Sequence, residues 1–303
     1  MFAHPYDLKA TYKFFADPQA TPDHLQAGHS EGVLLEMETP GLYLLIEDTS
    51  EIRCADQAHP LPGLSPIGAS KEAKIGFHLH SVLAVKWPEV CDTSTPRRPA
   101  VEILGLADQQ YHVRQPRPAH EPPHSSARLV RPVGKLFAKA RASASLGTVE
   151  LELRARPQQP ALTCAVVRVW EPQPPAGVKP LKTGMNVEAL QLATAHAWFA
   201  ATALLSVAAL RLLKLREIAR LTPEAPAALT GLSELELEVL AYRVKKPLKP
   251  VRDVLLGLGR LGGHLNRKGD GLPGWITLWR GWQYLPTLVE GALIGRKLKL
   301  KPD

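Results

Sequence analysis

A chain of 303 residues with 45% hydrophobic content is long enough to bury a core and to divide into two or three subdomains. Its net charge of +8 points to an acidic partner, a nucleic acid or a membrane surface, and says nothing of the fold. Cys54, Cys91 and Cys164 are too far apart for a zinc motif and odd in number, which excludes a disulfide framework and suits a reducing cytoplasm.

The N-terminus, MFAHPYDLKATYKFF, has no apolar signal core, so a soluble, cytoplasmic protein is expected. Residues 7–30 read as short helices, with Pro22 suited to an early helical position behind Thr21 as cap. Gly41 to Ile46 is a compact apolar strand ending in the acidic pair Glu47 and Asp48. Lys74 to Lys86 and Ala100 to Arg114 read as a second and a third strand. Residues 115–132 are Pro-rich and basic, the pattern of an irregular linker. Thr148 to Arg154 and Ala161 to Trp170 again read as strands, EPQPPAGVKP breaks the pattern, and from Val187 onward the chain reads as helical. Ala189 to Leu213 is apolar and long enough to be weighed as a membrane span. Gln191 and His196 interrupt it and the periodicity runs on into KLREIARL, so a long buried helix is expected and no stable membrane insertion.

The most informative stretch is Arg260 to Leu285, RLGGHLNRKGDGLPGWITLWRGWQYL. Before it, Val251, Val254, Leu255, Leu258 and Leu261 recur at helical spacing and run into Gly262 and Gly263, which suits a helix closed by a residue of positive φ. The loop is built from the turn formers Asn266, Gly269, Asp270, Gly271, Pro273 and Gly274, with Arg267 and Lys268 adding positive charge. Trp275, Leu278, Trp279, Trp282 and Leu285 then place a wide aromatic stripe on one face of a second helix. Core packing is the commoner use of such a stripe, and a partner-facing surface is the other.

This join of a Gly-rich basic turn to a tryptophan-bearing helix resembles the C-terminal domain of bacterial cut-and-paste transposases of the IS-four family, the Tn-five-like group. LLIEDTSEI is similar to the family's first catalytic motif, a strand followed by Asp-Thr-Ser/Thr, and GFHLHSVLAV and ILGLADQQYHVR resemble the next two strands. KLFAKARASASLGTVELELRA through VVRVWEPQPPAG resembles the β-rich insertion, and KTGMNVEALQL onward the segment after the catalytic helix. The resemblance implies a DDE transposase of an insertion sequence, with a ribonuclease-H-like α/β fold that cleaves DNA and transfers strands. It implies magnesium or manganese ions clamped by three converging carboxylates. It makes Asp48 the first catalytic carboxylate and metal ligand. The organisation it implies is a helical lead-in over 1–40 and a shortened ribonuclease-H-like core with its Pro-rich linker over 41–135. A β-rich insertion over 136–181 and a helical, dimerising C-terminal region over 182–303 complete it.

The rest of the family's catalytic pattern has no counterpart in the residues. Neither the strand closing in Asp-Arg-Glu nor the helical Tyr-x2-Arg-x3-Glu-x6-Lys signature occurs. Asp108 follows an apolar run, but in the third strand, where the family places no ligand. Tyr111 and Arg114 have the spacing that opens the helical signature, yet Pro118 stands where its Glu belongs. Lys182 corresponds to the final Lys of that signature, with the Glu side deleted, and Glu188 is a weak substitute ligand. The pattern is that of an internally deleted, N-terminally truncated derivative. By resemblance and charge, Lys182, Arg267, Lys268 and Arg280 are the expected phosphate contacts.

Other constellations carry less. His78 and His80 lie two apart on a strand and share a face, but no third ligand is placed beside them. His120 and His124 have a helical metal spacing broken by Pro122 and Pro123. GLGRLGG lies late in a helix with no strand before it, so it is no phosphate loop. The functional expectation is a transposase-family protein acting on DNA and deficient in cleavage. The alternatives are a non-enzymatic regulator that binds DNA or dimerises, homodimeric or mixed with an intact transposase, and an unrelated basic protein of the membrane surface.

Overall fold

The computed structural model describes residues 5–54, 61–67, 74–88, 101–114, 148–153, 162–167 and 185–298. The chain forms two units, Met1–Val178 with Val187–Val207, and Lys179–Asn186 with Ala208–Asp303.

In the first unit, helices α1 (Pro5–Ala16) and α2 (Pro22–Met37) precede the sheet. Thr21 starts α2: its hydroxyl accepts the His24 N–H at 3.2 Å, and Pro22, which has no N–H to leave unpaired, occupies the first turn. The sheet contains β1 (Leu42–Arg53), β2 (Ser65–Ile67), β3 (Lys74–Trp87) and β4 (Glu102–His112), all antiparallel. β3 is its axis, with β1 along one side from Leu42↔Trp87 to Arg53↔Gly76, and β2 and β4 end to end along the other. β5 (Thr148–Leu153) and β6 (Leu162–Val167) form a separate antiparallel pair.

α2 packs Val33, Leu34 and Met37 on Ala84 and Leu104, with Tyr43, Leu45 and Ala107 at the margin. Gly105 makes this approach possible. Its φ is +149°, and a Cβ there would stand 2.6 Å from Val33 Cγ2 and 2.7 Å from the His29 ring. β4 carries register shifts on both sides of this point, and the Leu106 N–H donates to His29 Nε2 at 2.9 Å. Helix α3 (Ala195–Leu221) gives its first half to this unit. There Phe199 packs edge-on against Phe77 and tilted against Tyr111, at centroid distances of 5.0 and 5.2 Å. A buried polar chain runs beside the rings: Gln26 Nε2 donates to Gln109 Oε1 at 2.7 Å, and Gln109 Nε2 to Ser81 and Ser206 at 2.9 and 3.2 Å.

In the second unit, α4 (Glu234–Val244) opens with a capping box. The Ser233 N–H donates to Glu236 Oε2 at 2.7 Å, and the Glu236 N–H returns to Ser233 Oγ at 3.3 Å. α5 (Val251–Leu261) buries Val251, Val254, Leu255 and Leu258 completely, as their spacing predicts. Its end is a Schellman motif: the His264 N–H reaches Gly259 O at 2.8 Å, the Gly263 N–H reaches Arg260 O at 3.1 Å, and Gly263 takes the positive φ of 98°. α6 (Trp275–Lys297) crosses α5 backbone to backbone. A Cβ on Gly281 would lie 2.8 Å from the Leu258 carbonyl carbon, and one on Gly262 would lie 2.8 Å from that of Thr277.

Two sequence expectations need correction. β1 does not end at Ile46 but continues to Arg53, because Thr49, Ser50 and Ile52 keep the alternation and pair with His80, Leu79 and Phe77. Helix does not begin at Val187. A single 3-10 turn spans Val187–Ala189, and α3 begins at Ala195, where Thr194 Oγ1 accepts the Ala197 N–H at 3.2 Å. α6 runs through Pro286 and ends at Lys297. As expected, α3 is long and apolar enough to cross a membrane, and 56% of its most apolar window is buried.

Candidate functional site

Asp48 lies in the middle of β1, half-buried, opposite Ser81, and its Oδ2 accepts the Ser50 hydroxyl at 3.0 Å. The row across the sheet is Asp48, Ser81, Gln109; the next row is Glu47, Val82, Asp108. Neighbours along a strand face opposite sides, so Glu47 and Asp108 point away from Asp48, and β1, β3 and β4 add no second carboxylate to its face. Asp108 instead accepts the Gln110 side-chain amide at 2.8 Å.

Glu188 is engaged elsewhere. Its Oε1 accepts the Arg53 N–H at 3.0 Å, five residues and about 17 Å along the strand from Asp48, too far for both to hold one ion. It also faces Cys54, whose thiol burial pushes up to about 12, with the Glu188 charge adding to the rise. Among the described residues no group of three His, Cys, Asp or Glu side chains converges to hold a metal ion. Asp48 by itself does not fit a site for magnesium, which demands several oxygens in near-octahedral order.

The opposite face of the sheet carries the histidines. His78 and His80 share it, as their spacing predicts. His80 Nδ1 meets Thr49 Oγ1 at 2.7 Å, and His78 Nε2 approaches Glu51 at 3.8 Å. The His112 ring stands 6.4 Å from that of His78. Burial lowers the His78 pKa, Glu51 opposes this, and the charges of Arg114 and His112 add to the lowering. His80 is held by that hydrogen bond, whereas the buried Nδ1 of His78 has no hydrogen-bond partner among the described residues.

The basic candidates belong to the second unit. Arg267 and Lys268 are exposed in the α5–α6 loop, where Asn266 and Gly269 take positive φ. The Arg267 N–H donates to Asp270 Oδ2 at 2.7 Å, which closes the turn and leaves both cationic side chains outward. Arg280 is exposed on α6. None of the three has an ion-pair partner among the described residues. Lys182, His120 and His124 lie outside the described residues.

The tryptophan stripe divides its work. Leu278 and Leu285 are buried, Trp275, Trp279 and Trp282 are half-buried, and the Arg216 guanidinium lies 4.6 Å over the Trp275 ring. Ile276 and Ile294, five turns apart on one line of α6, stay exposed, as does Leu298. Sequence reasoning missed the partition of charge. Residues 1–207 hold 20 basic and 20 acidic side chains, so the whole net charge of +8 belongs to residues 208–303. A count by halves is enough to find it.

Residues 207–299 match the family model of the transposase Tn5 dimerisation domain, less than a third of the chain. The C-terminal region therefore carries a dimerisation domain of that type.

Proposed function

We propose, from the premise of a Tn5-type transposase dimerisation domain at the C-terminus, that this chain is a cytoplasmic transposase-family protein that binds DNA and dimerises but does not cleave. The observation that carries the reading is the α5–loop–α6 segment, which lies within the matched region and holds Arg267 and Lys268 outward beside exposed apolar positions on α6. The concentration of net charge in residues 208–303 supports phosphate contact by Arg267, Lys268 and Arg280, acting as point charges that read no bases. Lys182 joins them by resemblance. The antiparallel β1–β3–β4 sheet supports a shortened ribonuclease-H-like core, with Asp48 at the position of the family's first carboxylate.

A second reading is favoured by the lack of a carboxylate facing Asp48 from the strands beside it. The chain would act without cleavage, pairing with an intact transposase and lowering its active fraction by mass action. One experiment tests both readings: magnesium- and manganese-dependent nicking of DNA carrying the element's ends, with Asp48→Ala as control. Salt-dependent DNA binding and molar mass by light scattering are recorded on the same samples. Binding and a dimeric mass without nicking support the proposal. Nicking abolished by Asp48→Ala refutes the loss of cleavage, and a monomer that binds no DNA refutes both readings.

A further inference from the structure

The turn between α4 and α5, Arg243 to Arg252, carries five basic residues: Arg243, Lys245, Lys246, Lys249 and Arg252, all exposed. The backbone beneath them is fixed at several points. α4 ends on Lys245 at φ 55°, and the Lys245 and Lys246 N–H groups return to Tyr242 and Ala241 carbonyls, each at 3.2 Å. Pro247 and Pro250 restrict their own φ. The Ala227 N–H donates to Lys249 O and the Val251 N–H to Ala225 O, each at 2.8 Å, tying the turn to a neighbouring segment. An ordered turn displays its cations with little backbone entropy left to lose on binding.

Two of the nearby carboxylates are already engaged, and a third, Glu224, is exposed on the segment whose Pro223 and Ala225 carbonyls accept the Arg252 and Val251 N–H groups. Asp253 holds Lys246 at 2.8 Å, and Glu238 holds Arg296 at 3.3 Å. Arg243, Lys245, Lys249 and Arg252 have no ion-pair partner among the described residues. The last two are placed against the interest of the fold. Lys249 precedes the N-cap Pro250, and Arg252 lies in the first turn of α5, where the helix dipole favours anions and disfavours cations. An arriving anion relieves that opposition. Tyr242 makes a second, independent observation. It is 88% exposed, so its ring adds almost nothing to the core, and it stands beside these cations.

We propose that the α4–α5 turn is a binding surface for single-stranded nucleic acid. Arg243, Lys245, Lys249 and Arg252 meet its phosphates, and Tyr242 stacks on an unpaired base. A duplex offers phosphates but no free base face, so the ring distinguishes the two forms. The surface is separate from the Arg267 and Lys268 loop and rests on the proposed function only in taking nucleic acid as the partner.

The test is fluorescence anisotropy of the full chain with a labelled oligothymidylate and with a duplex of equal length, over a salt series. The triple variant Arg243→Gln, Lys249→Gln, Arg252→Gln should lower the salt slope for the single strand by about 0.7 per contact, roughly 2 in all. Tyr242→Ala should weaken oligothymidylate binding about ten-fold and leave the duplex unchanged, with Tyr242→Phe restoring it. The melting midpoint of Arg252→Gln should hold or rise, which separates lost contact from lost fold. A triple variant with the wild-type slope, or Tyr242→Ala acting alike on both probes, overturns the proposal. If Arg267→Gln with Lys268→Gln abolishes binding while the triple variant changes nothing, the turn fails as a site and the DNA reading of the loop stands. A wild-type chain that binds neither probe overturns both.

Discussion

Replacing Gly281 by alanine adds one methyl group where α6 rests on α5. The new Cβ would stand 2.8 Å from the Leu258 carbonyl carbon and closer still to its oxygen, whereas ordinary contact begins at 3.4 Å. The crossing must open by at least about 0.6 Å, and because the obstacle is backbone, no side chain can swing aside. Such overpacking costs about 1–3 kcal/mol, and the helix propensity of alanine returns at most about 1 kcal/mol of it. Because the obstacle is backbone the cost falls in the upper part of that range, and the net loss of about 1–2 kcal/mol lowers the melting midpoint of a unit of this size by roughly 4–15 °C. Gly291 and Gly295, on the same helix with nothing within 4 Å of a built Cβ, are the controls. Alanine there should raise the midpoint, since it restricts the unfolded chain and meets no obstacle. Thermal unfolding followed by tryptophan fluorescence and far-ultraviolet circular dichroism reads all three. A Gly281→Ala protein melting at or above wild type would falsify the backbone-contact argument.

Three further outcomes follow from other sites. His78 has a folded pKa below 6.5, chiefly through burial, so the unfolded chain binds its proton more readily. Its stabilising contribution is therefore full above that pH and declines as the pH falls toward the folded value, and His78→Asn should flatten urea stability between roughly pH 7 and 5. Cys54, with its thiol held at about 12, should resist iodoacetamide at pH 8 in the folded protein and react on unfolding; rapid native alkylation at Cys54, located by peptide mapping, contradicts this. Ser233→Ala removes the capping box of α4 and should cost about 1 kcal/mol in urea unfolding, while Ser233→Asp should retain most of the stability.

Where local chemistry decides structure, the sequence was legible. Thr21 with Pro22, the apolar period of α5 and the Gly263 turn each act within a few residues, and each was found where its pattern placed it. Strand limits were less legible because they depend on a partner: polar Thr49 and Ser50 continue β1 only because β3 lies alongside. The alanine-rich start of α3 has no contrast in hydropathy, so the hydroxyl of Thr194 marks the boundary, a signal easily passed over. Pro286 reads locally as a stop, yet α6 continues through it, with Leu285 buried just before it. At the candidate site, one-dimensional reading singled out Asp48, Arg267 and Lys268 as candidates but could not tell which strand face each carboxylate takes. Bulges in β4 change that assignment without a compositional signal.

The confinement of the net charge to residues 208–303 bears on how fast this chain would meet a polyanion. Under the proposed reading of DNA as the partner, the attraction acts on residues 208–303 and not on the chain as a whole, so that segment draws the encounter. Productive encounters then become a larger share of collisions, and the association rate rises above that of an evenly charged protein. At physiological salt that guidance reaches only about 8 Å. The gain is therefore made in the final approach, and added salt removes it before any contact is broken.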